Sequence, residues 1–455
     1  MKKIYYLFSL IWVVFSCSLD ESSLDTALLD SSSIIDENEI INEVVQLRSD
    51  LFGYTTKSVS EISITAIHSP TKSATAVTYV VNYLDSGGYA VMATNGEDIK
   101  TVAITSNGYL DPQILQDALN SPTSVPVDSN VYGEEMLLDD PEDAVYGDEH
   151  LEPYPMDVLP YTGELEVSSD PITSDHPSID FIVSTLGGLD YLEGKEEPDI
   201  NYPPGVWSQM DGVASLIGTK WGQNGVYKQC CPTMPNGVVA LVGCGAVAAG
   251  QLTAYLSPIF LPFNFPTLLS IGNKDDVYAE NASEEEKYLV ASYLRYVADS
   301  IYTTYGSSVS TSHLQNIKNF FTDNILLDSV VSHSYTSSTV NSFIERIKGR
   351  LRYHLPVFMY GNNNSSGHFF IIDGFVTQIK PIEGNFLPTA RIRDLFHINW
   401  GWNSRGDGYY LITNLSGDSK QGIDSSVDLD ANTSHSYNST KIIITYATPR
   451  WRIFQ

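Results

Sequence analysis

Apolar residues recur at helical spacing in "IINEVVQLRSDLF", beginning at Ile40, and the chain then becomes β-rich in "ATAVTYVVNYLDSGGYAVMATNGEDIKTVAITSNGYL". With turn signals at "DSGG" and "NGED", this stretch predicts a small α+β module over roughly residues 40–120. From Asp111 to Pro204 sustained apolar patterns give way to Pro, Asp, Glu and Ser, as in "DDPEDAVYGDEHLEPYP". That composition reads as a solvated linker, with one short helix near "IDFIVSTLGGLDYL". The second half is ordered differently. A small-residue helix begins near Cys244, and "SEEEKYLVASYLRYVADSIYTTY" is amphipathic behind a Ser N-cap. Further helices are expected from "STSHLQNIKNFF" and "TVNSFIERIKGRLRY", the latter closed by the Pro of "HLPVFMY". Strands follow at "PVFMYG", "GHFFIIDGF", "LFHINWGW", "GYYLITNL" and "KIIITYAT". Helices first and antiparallel strands afterwards predict an α+β domain in which a helical lobe faces a sheet lobe.

The amino terminus adds a targeting signal. "MKKIYYLFSLIWVVFSC" has a basic start at Lys2 and Lys3, an apolar run from Ile4 to Phe15, then Ser16 and Cys17. This is the layout of a secretory signal, too short for a membrane-spanning helix of about 20 residues. The "VFSC" ending resembles a bacterial lipobox, although Phe15 is bulkier than the usual occupant; ordinary secretion is the alternative. "SLDESS" resembles the acidic export tags of Bacteroidota surface lipoproteins. The expectation is an exported protein, secreted or held at the cell surface or outer membrane, touching membrane through a lipid on Cys17 alone.

At 455 residues and 42% hydrophobic content the chain is long enough for more than one core. Its formal net charge of −30 is unevenly shared: residues 18–200 hold 36 Asp and Glu against 5 Lys and Arg, residues 201–455 hold 19 against 18. Such a boundary suggests separately built parts, and the acidity argues against a nucleic-acid partner. There is no internal repeat and no Gly-rich phosphate loop.

With Cys17 lipidated, Cys230, Cys231 and Cys244 remain, so at least one thiol is free and a disulfide framework is not expected. Adjacent cysteines followed by a lone third lack zinc-site spacing, so no metal or other cofactor is expected. Cys244 opens "CGAVAAGQLTAYL", where the unpaired amides of a helix start would face its sulfur and lower its pKa; an inert buried cysteine is the alternative. His368 begins the apolar strand "GHFFIIDGF", able to present one ring face to a cleft. Asn399 could accept the proton of His368 Nδ1 and fix its tautomer, with Trp400 roofing that bond. Gln223, 21 residues before Cys244, could join the Cys244 N–H in an oxyanion hole. Each has a plainer reading, as surface amide, capping ring or core tryptophan. Their order, Gln, Cys, His, Asn, is what acyl transfer through a cysteine requires. Of the remaining signals, "RGD" at Arg405–Asp407 is a frequent tripeptide, His397 is expected to pack, and Asp373 should point away from His368 on an alternating strand.

These blocks resemble the streptopain family of papain-like cysteine peptidases, clan CA, family C10. "WGQNGVYKQCCPTMPNGVVALVGCGAVAAGQLTAYL" echoes the family's first block, "GHFFIIDGF" its histidine segment, and "FHINWGWNSRGDGYYLI" its His-x-Asn-Trp-Gly-Trp and Asp-Gly-Tyr segments. The resemblance implies a papain-like two-lobed peptidase domain over 205–455 and a cysteine-type endopeptidase acting on proteins or peptides. It implies Cys244 as nucleophile and His368 as base, Gln223 at the oxyanion hole, and Asn399 and Trp400 supporting the histidine. Residues 54–120 resemble the inhibitory propeptide of these enzymes. The resulting organisation is 1–17 signal, 18–120 propeptide acting as intramolecular inhibitor, 121–204 linker with processing sites, and 205–455 peptidase. Gly245 and Gly250 stand where the family has larger residues, which could loosen the helix by roughly 1 kcal/mol each. A degenerate surface protein used for binding or adhesion is the rival reading, and acyl transfer to an amine would share the same site.

Overall fold

The computed structural model describes residues 37–53, 62–68, 77–83, 87–94, 99–120, 171–172, 176, 178–179, 182, 207–272, 282–334, 340–362, 367–381, 390–411, 440–447 and 449. The expected signal segment, Cys17 and most of the acidic linker lie outside these residues. None of the described helices is long and apolar enough to cross a membrane.

The helix and strands read in the first module are present: α1 (Glu37–Phe52), then β1 (Ile62–His68), β2 (Val77–Tyr83), β3 (Tyr89–Thr94), β4 (Ile99–Thr105), the short β5 (Tyr109–Leu110) and α2 (Pro112–Asn120). β1 to β4 form an antiparallel meander whose burial differs from simple alternation: β3 is buried at every position. One face packs on Ile40, Val44 and Leu47 of α1, the other on a separate cluster containing Val80, Tyr89 and Val91.

The linker is not wholly solvated. β6 (Pro171–Ile172) pairs in parallel with β5, and His176, Ser178, Ile179 and Ile182 are buried. Ser178, Ile179 and Ile182 are helical, where the short helix was expected.

In the second half β7 (Ser208–Val213) was not legible: it is mostly polar, and its Met210 is exposed. Then come α3 (Cys244–Leu256), α4 (Phe265–Gly272), α5 (Glu284–Ser300), α6 (Leu314–Asn319) running into a π-helical turn at Phe320–Asn324, β8 (Val331–Ser334) and α7 (Val340–Arg352). The start of α5 follows from its sequence. Ser283 accepts from the Glu286 N–H while the Glu286 carboxylate accepts from the Ser283 N–H, a capping box that satisfies two end amides, and three glutamates face the positive helix end. α3 is buried almost throughout and pressed against α5. A Cβ on Gly250 would lie 2.7 Å from Leu294 Cδ2, so close helix approach, not loosening, accounts for the glycine at this position.

The strands read from the last third follow: β9 (Val357–Asn362), β10 (Gly367–Pro381), β11 (Ala390–Asn399), β12 (Gly408–Leu411) and β13 (Thr440–Thr445). All join one antiparallel sheet of order β1-β2-β3-β4-β12-β11-β10-β9-β13-β8, with β7 also on β10. The unexpected junction is β4 on β12, where Thr105 faces Gly408 and Ala103 faces Tyr410. The amino-terminal meander therefore extends the sheet of the carboxy-terminal domain by adding strands to its edge, a joining of main chains that charge and composition do not reveal. Arg393 braces it, donating from Nη1 to Glu43 Oε1 at 2.8 Å and to Thr101 Oγ1 at 3.0 Å.

Candidate active site

Gly243 at φ 93° turns the chain into α3, placing Cys244 at the helix's first residue, partly exposed. Its sulfur is met by backbone N–H groups of Phe369, Gly245 and Cys244 itself. Burial nevertheless outweighs these donors and pushes the thiol above its ordinary value, so the lowered pKa expected from the helix start is not the net result. Phe369 follows His368 on β10. The sulfur at the helix start and the backbone beside the histidine thus come together from 124 or more residues apart in sequence.

His368 is buried, not open on one face: it is 8% exposed, and Phe370, Trp400 and Trp402 surround its ring at centroid distances of 6.2 to 6.4 Å. Its Nε2 donates to the carbonyl oxygen of Trp400 at 2.9 Å, which assigns the proton to Nε2. Burial lowers its pKa to about 4 against the opposing Trp400 bond.

The bond expected between Asn399 and His368 is not the one formed. Asn399 Oδ1 accepts from Gln251 Nε2 and from the Gly401 N–H, both at 3.0 Å, and its Nδ2 donates to Thr219 O at 2.9 Å. Asn399 therefore reaches the histidine at one remove, through the peptide whose carbonyl belongs to Trp400. The Trp400 side chain is fully buried, its Nε1 donating to Gly406 O at 3.1 Å and its ring 4.8 Å from Phe370. Gln223 is partly buried, and its carbonyl accepts from the Val242 N–H at 3.1 Å, tying its loop to the chain two residues before Cys244.

Three contributors were missed. Gln251, in α3, accepts from Thr219 Oγ1 at 2.9 Å and from the Trp221 N–H at 3.2 Å while bonding Asn399. Its place one turn and more beyond Gly245 on a largely buried helix was the available signal. His176, from the linker, bonds Ser178 Oγ at 2.7 Å and Arg405 O at 2.6 Å and lies 5.0 Å from the Trp402 ring. Burial first, then the charges of His368 and Arg405, lower its pKa to about 3 against the Arg405 carbonyl, so the linker histidine sits close to the site. Asp407 is the third: the aspartate of the "RGD" tripeptide is 8% exposed and turned inward to accept the Trp400 N–H at 2.8 Å.

His397 departs from expectation, whereas Asp373 is, as expected, no partner of His368. A β-bulge falls between Ile372 and Gly374, and the extra residue Asp373 bonds His397 Nδ1 at 2.6 Å through Oδ1 and the Ile217 N–H at 2.8 Å through Oδ2. Burial disfavours a charged His397, but Asp373 and then Asp407 outweigh it and raise its pKa. His397 is thus the partner of an acid, not simply packing, while Asp373 serves it and not His368. Among the described residues no His, Cys, Asp and Glu cluster could hold a metal ion.

A thiol at a helix start, set against a strand carrying a carbonyl-bound imidazole, marks an α+β protein with a candidate cysteine–histidine site. Residues 264–410 match the model of the peptidase C10 family, a span that includes His368, Asn399 and Trp400 and begins after Cys244. The likeness of the chain is to the streptopain-like peptidases of that family. It is 23% identical over 264 residues to streptopain of Streptococcus pyogenes serotype M28, covering 50% of this chain and 63% of the relative. It is 21% identical over 266 residues to the thiol protease/hemagglutinin PrtT of Porphyromonas gingivalis, covering 50% of this chain and 28% of that protein. Among solved structures it is similar to a fragment of Prevotella intermedia prointerpain A, with a TM-score of 0.46 at 15% identity, covering 84% of this chain and 98% of that one. It is also similar to active wild-type interpain A cysteine protease of the same organism, with a TM-score of 0.35 at 19% identity, covering 53% and 100%.

Proposed function

We propose that the chain is an exported cysteine endopeptidase made as a zymogen, with Cys244 as nucleophile and His368 as its acid–base partner. The observation that carries this reading is the approach of the Cys244 sulfur to the Phe369 N–H, beside a histidine whose Nε2 is committed to Trp400 O. That commitment leaves Nδ1 as the nitrogen to take the thiol proton. The thiolate then attacks a peptide carbonyl, and the oxyanion forms against the Cys244 N–H and the Gln223 side-chain amide. The imidazolium returns its proton to the leaving amine, and water, deprotonated by the same imidazole, resolves the acyl enzyme. Asn399 and Trp400 hold the imidazole, the first through the Gly401 N–H and the second through its carbonyl.

The resting pair is neutral in this arrangement. Burial raises the thiol and lowers the imidazole, so the proton stays on sulfur. This supports reading residues 18–120 as an inhibitory propeptide, with the linker residue His176 helping to enclose the site. Processing in the linker would release it. Export through the residue 1–17 signal, and a lipid on Cys17, complete the proposal.

Replacement of Cys244 with Ala is expected to abolish casein hydrolysis and labelling by an epoxysuccinyl thiol inhibitor. Labelling that survives the replacement refutes the assignment. A protein that neither cleaves casein nor shortens itself under reducing conditions supports the rival, a surface binding protein on a peptidase fold.

A further inference from the structure

Trp400 is pinned on both sides of its Cα. Asp407 Oδ1 accepts its N–H at 2.8 Å, and Asn399 Oδ1 accepts the N–H of the following Gly401 at 3.0 Å. Between these two ties lies the carbonyl that accepts His368 Nε2–H at 2.9 Å. The direction of that carbonyl decides the plane of the imidazole, and hence where its Nδ1 points. A third tie from the same turn, Trp400 Nε1 to Gly406 O at 3.1 Å, holds the indole against Tyr410.

Asp407 is an expensive way to anchor one N–H, since it is a buried acid. Its carboxyl is pushed up to about 7 by burial, against the opposing Trp400 N–H, His397 and Lys220 and with a further push from Asp373. His397 on β11 is itself bonded to Asp373 at 2.6 Å and also feels the charge of Asp407.

We propose that Asp407 is a positioning residue for His368, acting through the Trp400 peptide by its hydrogen bond and not by its charge. The inference rests on the reading of His368 as the partner of Cys244. Asparagine offers an oxygen in the same place and preserves the tie. Glutamate keeps the charge but carries the carboxylate one methylene too far, and alanine leaves a buried N–H unpaired.

The test compares the full-length chain with its Asp407→Asn, Asp407→Glu and Asp407→Ala variants. Alkylation of Cys244 by iodoacetamide, located by mass spectrometry, is measured alongside kcat and KM on a chromogenic peptide, with circular dichroism to verify folding. Asp407→Glu and Asp407→Ala are expected to slow both alkylation and kcat by about 10- to 100-fold with KM within about twofold, and Asp407→Asn to retain the rate within about threefold. An Asn variant as slow as the Glu variant overturns the proposal, as does a Glu variant with unchanged kcat or a loss confined to KM. Should the Ala variant fail to fold, the Asn and Glu pair decides alone. A wild-type chain alkylated at Cys244 that turns over no peptide even after cleavage in its linker under reducing conditions defeats the peptidase reading, and the alkylation rates still judge Asp407.

Discussion

Gln251 Nε2 donates to Asn399 Oδ1 at 3.0 Å, joining the helix that begins at Cys244 to the strand that ends beside Trp400. The same buried amide accepts from Thr219 Oγ1 and the Trp221 N–H, so one side chain satisfies partners on two other segments. Gln251→Leu keeps the volume and strips both ends of the amide. Each buried group left unpaired costs about 1–3 kcal/mol, so a total loss of roughly 2–5 kcal/mol is expected in urea unfolding. A midpoint unchanged from wild type would count against this clasp.

The buried histidines give the protein a definite acid sensitivity. Folded-state values near 4 for His368 and His333 and near 3 for His176 lie below the ordinary 6.5, so the unfolded chain binds more protons and stability falls as pH drops below 6.5. Asp407 works the other way: raised to about 7, it binds its proton more tightly in the folded chain and loses stability as pH rises from about 4 to 7. His397, raised beside Asp373, opposes the loss in the same direction as Asp407, and three lowered histidines against these two leave a net loss toward acid. The thermal midpoint is expected to be lower at pH 5 than at pH 7, and Asp407→Asn, which removes one of the two opposing groups, to steepen the decline.

Arg393 holds the amino-terminal meander by its bonds to Glu43 and Thr101, with its guanidinium 4.0 Å from the centre of the Trp207 ring. Arg393→Met leaves Glu43 without this partner in a largely buried position, a loss of about 3–5 kcal/mol by analogy with broken buried pairs. Limited proteolysis within residues 37–120 should accelerate by about tenfold or more. Adding Glu43→Met should slow it again, whereas additive effects in the double variant would deny the coupling.

Gly401 has φ +68°, and a Cβ there would stand 3.0 Å from Val247 Cγ1 on the helix that begins at Cys244. Gly401→Ala is expected to cost about 1–3 kcal/mol and to lower kcat, because the strained peptide carries the carbonyl held by His368. Val247→Ala removes the contact but not the backbone strain, so it should recover part of the stability; full recovery would assign the whole effect to packing.

Much of this protein was legible without coordinates, because the signals were local. Helical periodicity located α5 and α7, a Ser followed by Glu three residues later marked the start of α5, and apolar runs between turn residues located β9 to β12. The resemblance in "GHFFIIDGF" and "FHINWGWNSRGDGYYLI" drew attention to His368, Asn399 and Trp400 in the same way. Tertiary structure decided who bonds whom. Asn399 looked like the partner of His368, yet in the folded chain its oxygen serves Gln251 and Gly401, and a backbone carbonyl, present at every residue and therefore invisible to residue type, accepts the imidazole N–H. The bulge at Asp373 redirected an acid that alternation alone could not place. The addition of β4 to the edge of β12 used main-chain groups that every sequence carries. Burial, a property of the assembled core, set the thiol and imidazole apart where the helix end alone would have drawn them together.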